Sequence, residues 1–85
     1  MKYDVRIPKR VQKELDVLPD ETYTRVSERV QRLSDDPRPS GVKKLKGRSD
    51  TYRIRVGSYR VVYVVDDARK EITLITVSDR KDVYR

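Results

Sequence analysis

Residues 51–65 read TYRIRVGSYRVVYVV, two strand-like runs separated by the dipeptide Gly57-Ser58. The first run, residues 51–56, alternates apolar side chains on one face with arginines on the other, which is typical of a strand with one buried side. A dipeptide with Gly in its first position suits a two-residue hairpin turn. The second run, residues 59–65, is apolar on both faces and predicts the central strand of a sheet. The stretch therefore predicts a β-hairpin at the centre of the fold.

Segments on both sides of this hairpin extend the sheet. Residues 66–70, four of which are charged, turn the chain into a last predicted strand, residues 71–77. Towards the N-terminus, residues 3–7 alternate with period two and predict a first strand, which Pro8 ends. A lone first strand and a meander of three strands favour one antiparallel or mixed twisted sheet.

Between the first strand and the hairpin, the apolar spacing becomes that of helices. Val11, Leu15 and Leu18 recur at helical spacing up to Pro19, and Asp20 is expected to cap a second helix. The apolar stripe of this second helix is formed by Tyr23, Val26, Val30 and Leu33. The predicted fold is α+β: an N-terminal strand, a helical hairpin and a three-stranded antiparallel meander, with both helices packed on one sheet. We expect residues 1–85 to form a single domain.

Composition limits the chemistry that the chain can perform. Of its 85 residues, 41% are charged and 35% are hydrophobic, and none is cysteine or histidine. Disulfides, zinc sites of the usual ligand types, thiol nucleophiles and histidine acid–base catalysis are therefore excluded. The N-terminus lacks the apolar run of a signal peptide, and no stretch reaches the roughly 18 apolar residues of a membrane span. We expect a soluble cytoplasmic protein that needs no cofactor.

The net charge of +7 is concentrated in the middle of the chain. Residues 1–37 carry eight basic and eight acidic side chains, and residues 61–85 carry five of each. Residues 38–60 carry eight basic side chains against Asp50 alone. These eight are Arg38, Lys43, Lys44, Lys46, Arg48, Arg53, Arg55 and Arg60. A solvated surface normally mixes its signs, so this excess predicts a binding site for a polyanion.

The predicted hairpin brings arginines of the charged segment together. Its tight turn places Arg53 and Arg55 close to Arg60, and Arg80 of the C-terminal segment could join them. Guanidinium groups so placed repel one another unless an anion lies between them, and their planar forks fit phosphate oxygens. The alternative is a solvated strand face on which the arginines serve solubility.

Tyrosine supplies all the aromatic side chains of the chain. Tyr3, Tyr23, Tyr52 and Tyr63 occupy inward-facing positions of predicted strands and helices, which favours a role in the core. Tyr84 lies in a charged tail, where its phenol could stack on a nucleobase or bond a phosphate. A tail residue folded back over the sheet explains Tyr84 equally well.

Three motifs give the chain a family resemblance. Residues 41–47 (GVKKLKG), 52–63 (YRIRVGSYRVVY) and 80–84 (RKDVY) resemble the RelE/ParE toxin superfamily, and the likeness covers nearly the whole chain. The resemblance implies a RelE-like microbial RNase fold and a type II toxin that an antitoxin holds inactive. For the RelE branch it implies an endoribonuclease, independent of metals, that enters the ribosomal A site and cleaves the messenger RNA there. It also implies a RelB-like antitoxin as partner in a hetero-oligomer.

Carried over position by position, the resemblance implies a set of functional residues. The cleavage residues would be Arg53, Arg55, Arg60, Arg80 and Tyr84. The concentration of positive charge, rather than the resemblance, adds Lys43, Lys44, Lys46 and Arg48 as expected RNA-binding residues. The best-known branch has Lys at positions 53 and 55, and relatives often have Gly-His-Arg where this chain has Ser78-Asp79-Arg80. Arginine is effectively never deprotonated, so Asp79 and Tyr84 are the candidate proton acceptors.

Two other functions stay open on the sequence. A ParE-like toxin of similar fold would inhibit DNA gyrase by binding it, and a non-catalytic regulator would only bind nucleic acid. Arg80 and Tyr84, in addition to the strand arginines, favour RNA cleavage, because a gyrase binder has no evident need for that set of phosphate and base contacts.

Overall fold

Within residues 2–79, five strands form one mixed sheet and two helices pack against one of its faces. The computed structural model describes these residues; Met1 and residues 80–85 lie outside it. The strands are β1 (Asp4–Arg6), β2 (Lys43–Lys44), β3 (Thr51–Val56), β4 (Tyr59–Asp66) and β5 (Glu71–Asp79), and the helices are α1 (Lys9–Asp16) and α2 (Asp20–Arg32). The sheet order is β1-β5-β4-β3-β2. This architecture confirms the predicted α+β fold.

The strand order makes β4 the centre of the sheet, as predicted, and makes β1 and β2 its edges. Strands β3, β4 and β5 form the antiparallel meander, whereas β1 pairs with β5 in parallel. Strand β2 could not be predicted from the sequence, because two residues are too few to show an alternating pattern. It pairs with β3, and Lys43 lies opposite Arg53.

The helix ends follow from the two prolines. Pro8 and Pro19 occupy the N-cap positions of α1 and α2. The expected capping role of Asp20 is wrong: it is the first residue of α2, where a carboxylate is stabilised by the positive end of the helix dipole. Helix α1 ends at Asp16, before Leu18, because a residue that precedes proline avoids the helical conformation.

The core lies between the helices and one face of the sheet. Its buried members are Val11, Leu15, Leu18, Val26, Val30, Leu33, Tyr52, Ile54, Val56, Val61, Tyr63, Val65, Ile72, Leu74 and Val77. Tyr3 packs against this core, as its inward position in the sequence predicts. Tyr23 corrects the prediction for α2, because it is 39% exposed and the buried stripe of the helix starts at Val26. No helix within residues 2–79 is long and apolar enough to cross a membrane.

Side chains of the sheet hold the loop of residues 36–41, which follows α2. The buried Tyr63 hydroxyl donates a hydrogen bond of 2.7 Å to the Pro37 carbonyl. The Arg38 side chain donates to the Tyr52 hydroxyl at 3.0 Å and lies over the same ring, 5.3 Å from its centroid. The loop is thereby fixed against β3 and β4, next to the strand that carries two of the arginines.

Strand β5 contains a bulge that decides which face its last residues occupy. Thr76 lies opposite Val62, but Leu74 lies opposite the next residue of β4, Tyr63, so Ile75 is an extra residue. One extra residue moves every later side chain of a strand to the other face of the sheet. The residues after Ile75 therefore face opposite to what plain alternation from Leu74 would give.

Helix α1 holds the bulge in place. The Glu14 carboxylate accepts hydrogen bonds from the Val77 amide at 2.9 Å and from the Thr76 hydroxyl at 3.1 Å. Arg10, one helical turn earlier, donates to the Ile75 carbonyl at 2.8 Å. These bonds satisfy backbone groups beyond Thr73, where the pairing of β5 with β1 ends.

Candidate nucleic-acid interface

Two arginines face each other across the β3–β4 hairpin. Arg55 and Arg60 are directly paired, on the face of the sheet that points away from the helices. The Cβ atoms of residues paired in this way lie about 4.5–5.5 Å apart. Arg53, two residues before Arg55, shares the same face. The structure thus brings these three arginines together, as the tight turn predicts.

Neighbouring strands lengthen this surface. Lys43 of β2 lies opposite Arg53, and Ser78 of β5 lies opposite Arg60. A row made of Arg55, Arg60 and Ser78 therefore crosses three strands. Ser78 therefore belongs to the candidate site. This could not be predicted from the sequence, because the face of the sheet on which Ser78 lies depends on the bulge at Ile75.

Arg55 forms no ion pair with an acid of the described residues 2–79. Within residues 2–79 the three ion pairs are Arg6 with Glu71, Arg25 with Glu21 and Arg38 with Asp67. Arg55 takes part in none of them, although like charges directly opposite each other destabilise an antiparallel pair. An anion between Arg55 and Arg60 relieves that repulsion, and a phosphate can accept paired N–H groups from each guanidinium.

An open depression of about 390 Å³ lies beside the arginines. It is lined by Arg29, Ser40, Gly41, Lys43, Arg53 and Arg55. Arg29 could not be recognised from the sequence as a site residue, because it belongs to residues 1–37, whose charges cancel. The packing of α2 near the end of β3 brings its guanidinium to 3.5 Å from the Arg55 carbonyl. Nothing in the sequence signals this contact, since it joins two elements that are 26 residues apart.

The remaining lysines and the arginine of the predicted RNA-binding group lie on the β2–β3 hairpin. Lys44 is exposed at the sheet edge, opposite Tyr52. Lys46 and Arg48 are exposed in the turn between the two strands, which Gly47 closes with a positive φ of 77°. The structure keeps all of them on one projecting hairpin, while Lys43 alone among the lysines also lines the depression.

Arg38, one of the eight basic side chains of residues 38–60, has a structural role. Its Nη2 donates to Asp67 at 2.7 Å, and the other oxygen of Asp67 accepts a bond of 2.6 Å from the Tyr3 hydroxyl. These two donors hold the pKa of Asp67 below its usual range, and the bonds to Tyr52 and Asp67 raise the pKa of Arg38. Asp67 thus balances one positive charge of residues 38–60, although it is distant in the sequence.

The structure separates Asp79 from the arginines. Asp79 lies opposite Tyr59, a residue that packs on the core, and follows the buried Val77 by two positions. Plain alternation along β5 would place Asp79 on the arginine face, and the bulge reverses it. Two further candidates, Arg80 and Tyr84, lie outside the described residues.

The chain is similar along its whole length to known toxin proteins. A family model described as the ParE toxin of the type II toxin–antitoxin system parDE matches residues 5–84. The whole chain is 36% identical to RelE1, a candidate toxin of Methanocaldococcus jannaschii, and covers 98% of it. The whole chain is also 30% identical to toxin RelG of Mycobacterium tuberculosis and covers 99% of it.

Two solved structures have the same fold as this chain. The RelE–RelB complex from Pyrococcus horikoshii matches with a TM-score of 0.84 and 39% identity, over 94% of this chain and 97% of that chain. The isolated RelE toxin of Escherichia coli matches with a TM-score of 0.81 and 28% identity, over 96% of this chain and 90% of that chain.

Proposed function

Since the chain belongs to the RelE/ParE superfamily of toxins from type II toxin–antitoxin systems, we propose that it acts as a ribosome-dependent endoribonuclease. It cleaves messenger RNA in the ribosomal A site and so inhibits translation. The observation that carries this proposal is the direct pairing of Arg55 with Arg60, flanked by Arg53. That arrangement supplies a dense positive charge at the place where a phosphodiester would lie.

The proposed chemistry uses a nucleophile that the RNA itself provides. The ribose 2′-oxygen attacks the adjacent phosphorus, its proton passes to an acceptor, and the bond from phosphorus to the 5′-oxygen breaks as that oxygen gains a proton. Negative charge builds up on the phosphoryl oxygens in the transition state. Arg55 and Arg60 stabilise this charge, and the ribosome aligns the strand.

Proton transfer requires a group other than the arginines. Of the two candidate acceptors we favour Tyr84, because Asp79 belongs to the helix-facing side of β5 and would have to reach around the sheet edge. Arg80 and Tyr84 enter the proposal through the family resemblance. Ser78, directly opposite Arg60, adds a hydroxyl that can donate a hydrogen bond to a phosphate oxygen.

The proposed partner is a RelB-like antitoxin with an acidic amphipathic segment. The P. horikoshii relative is crystallised as a complex of RelE with RelB. The exposed hairpin that carries Lys43, Lys44, Lys46 and Arg48 offers a positive surface to such a segment. The segment folds on binding and covers residues 43–60, which keeps the toxin from the ribosome.

A second candidate function is favoured by the matching family model, which carries the ParE name. A ParE-like toxin would inhibit DNA gyrase by protein binding and would leave messenger RNA intact. The paired arginines favour the ribonuclease, because with Ser78 they form a set of phosphate contacts on one face for which a gyrase-binding surface has no evident need.

The experiment is to express the chain without an antitoxin and to map the 5′ ends of ribosome-bound messenger RNA. The proposal expects new ends within A-site codons, and their loss in an Arg60→Ala variant. Arg69→Ala is the matched control, because it removes an equal charge from the exposed turn between β4 and β5. Intact messenger RNA together with inhibited supercoiling by gyrase would establish the second candidate instead.

A further inference from the structure

The depression lined by Arg29, Lys43 and Arg55 lies at the open end of β3. Strand β2 pairs only with Tyr52 and Arg53, so the edge of β3 beyond Arg53 is open at Arg55. The Arg55 carbonyl points to this open edge and meets the guanidinium of Arg29. The other wall is the Ser40-Gly41 backbone, held by the loop contacts of Pro37 and Arg38 described above.

The lining of this depression is made for an anion. Four of its six members are cations, namely Arg29, Lys43, Arg53 and Arg55, and the other two are Ser40 and Gly41. None of the six carries a negative charge. A Cβ added to Gly41, whose φ is +89°, would meet no atom within 4 Å, so the backbone here is open to a ligand.

Arg29 is held only weakly by the protein. Its bond to the Arg55 carbonyl is 3.5 Å long, at the outer limit for a hydrogen bond, and no carboxylate within residues 2–79 forms an ion pair with it. A guanidinium with spare donors in a cationic depression can turn towards a phosphate without losing a strong contact.

Arg55 links this depression to the proposed cleavage centre. Its side chain lines the depression and also lies opposite Arg60 on the arginine face. Two anions bound on either side of Arg55 would therefore be neighbours, and a nucleic-acid strand carries a phosphate at every nucleotide.

We propose that the depression formed by Arg29, Ser40, Gly41, Lys43 and Arg55 is a second phosphodiester subsite. It binds the backbone phosphate of the RNA strand next to the one held between Arg55 and Arg60. This subsite rests on the proposed function for the identity of the strand. Because it contacts a phosphate that does not react, Arg29 contributes equally to substrate and transition-state binding and sets affinity rather than rate.

The test is a binding cycle that needs no cleavage. The probes are single-stranded 2′-O-methyl RNA hexamers, either fully charged or with one neutral methylphosphonate linkage at each successive position. Their affinities for the wild type, Arg29→Ala and Arg29→Lys are measured by fluorescence anisotropy at low salt. Arg32→Ala is the matched control, because Arg32 lies three residues later on α2 and lines a different depression with Glu28 and Asp35.

Arg29→Ala should weaken binding of the charged strand by about tenfold or more, in the range of a charge-assisted hydrogen bond. For the strand whose neutral linkage occupies the subsite, the wild type and Arg29→Ala should bind with the same affinity. Arg29→Lys should recover part of the affinity, Arg32→Ala should lose at most about twofold, and melting temperatures should stay close to that of the wild type.

The proposed subsite would be overturned if Arg29→Ala lost the same affinity whichever linkage is neutral, or if it lost no affinity at all. A loss of affinity for a poly-Glu peptide with none for RNA would assign the depression to an acidic protein segment and would also overturn it. The outcome is separate from that of the proposed function, because the cycle reports binding even if the chain cuts no messenger RNA. With active ribosomes, Arg29→Ala should raise KM and leave kcat nearly unchanged, whereas a fall in kcat alone would contradict the assigned role.

Discussion

Replacing Arg55 with Gln should make the protein more stable while it removes cleavage activity. Arg55 and Arg60 are directly opposite each other in the hairpin, and Arg55 is exposed. Within residues 2–79 no ion pair engages Arg55, so the substitution removes a repulsion without breaking a salt bridge. Gln retains most of the length of the side chain and removes its charge.

The expected gain follows from the register of the two strands. Opposite charges directly opposite in an antiparallel pair contribute about 0.2–1 kcal/mol, and we take the destabilisation by like charges to be of the same size. For a domain of this size that gain corresponds to a rise in melting temperature of roughly 1–8 °C. The rise should shrink at about 1 M salt, where the Debye length falls to about 3 Å and screens the wild-type repulsion.

Thermal unfolding at low and high salt, followed by circular dichroism, measures this effect. Arg69→Gln is the control for the loss of one positive charge, and as an exposed turn substitution it should change stability by less than about 0.5 kcal/mol. If Arg55→Gln instead lowered the free energy of unfolding by more than about 1 kcal/mol at low salt, Arg55 would be a structural residue. The interpretation of the arginine pair as an anion site would then fail.

Three further outcomes are expected. Burial raises the pKa of Tyr63 to about 12, so stability is full below the unfolded pKa of about 10 and falls by about 2 kcal/mol as pH rises to 12. Urea unfolding of a Tyr63→Phe variant should lack this alkaline fall. Glu14→Ala leaves the Val77 amide without its partner and should lower stability by about 1–3 kcal/mol in urea unfolding, and no loss would show that the bulge needs no support from α1. The association rate with the antitoxin, measured by stopped flow, should fall steeply with salt, and a rate indifferent to ionic strength would contradict electrostatic steering.

The hairpin shows what the sequence could determine. The alternation of residues 51–56 and the two-residue turn at Gly57-Ser58 fix both the buried face and the register, so the pairing of Arg55 with Arg60 could be predicted. The apolar run of residues 59–65 likewise predicts the central strand. These features are local, and each depends on only a few consecutive residues.

Features that depend on distant contacts could not be predicted. A bulge in β5, held by Arg10 and Glu14 of α1, places Asp79 on the face of the sheet opposite to the one that regular alternation predicts. The alternating sequence of β5 gives no sign of this bulge. Arg29 reaches the site only because α2 packs near the end of β3. Asp67, across the fold, balances Arg38, so a count of charges along the chain overstates the charge available to a ligand.

In the proposed mechanism, the arginine face promotes attack of a ribose 2′-hydroxyl on its own phosphate. The most direct measurement is end-group analysis of messenger RNA cleaved on purified ribosomes, together with a message that carries a single 2′-deoxy nucleotide at the cut site. We expect a 2′,3′-cyclic or 3′-phosphate on one fragment, a 5′-hydroxyl on the other, and no cleavage of the deoxy substrate. A 5′-phosphate product, or efficient cleavage at the deoxy position, would contradict it.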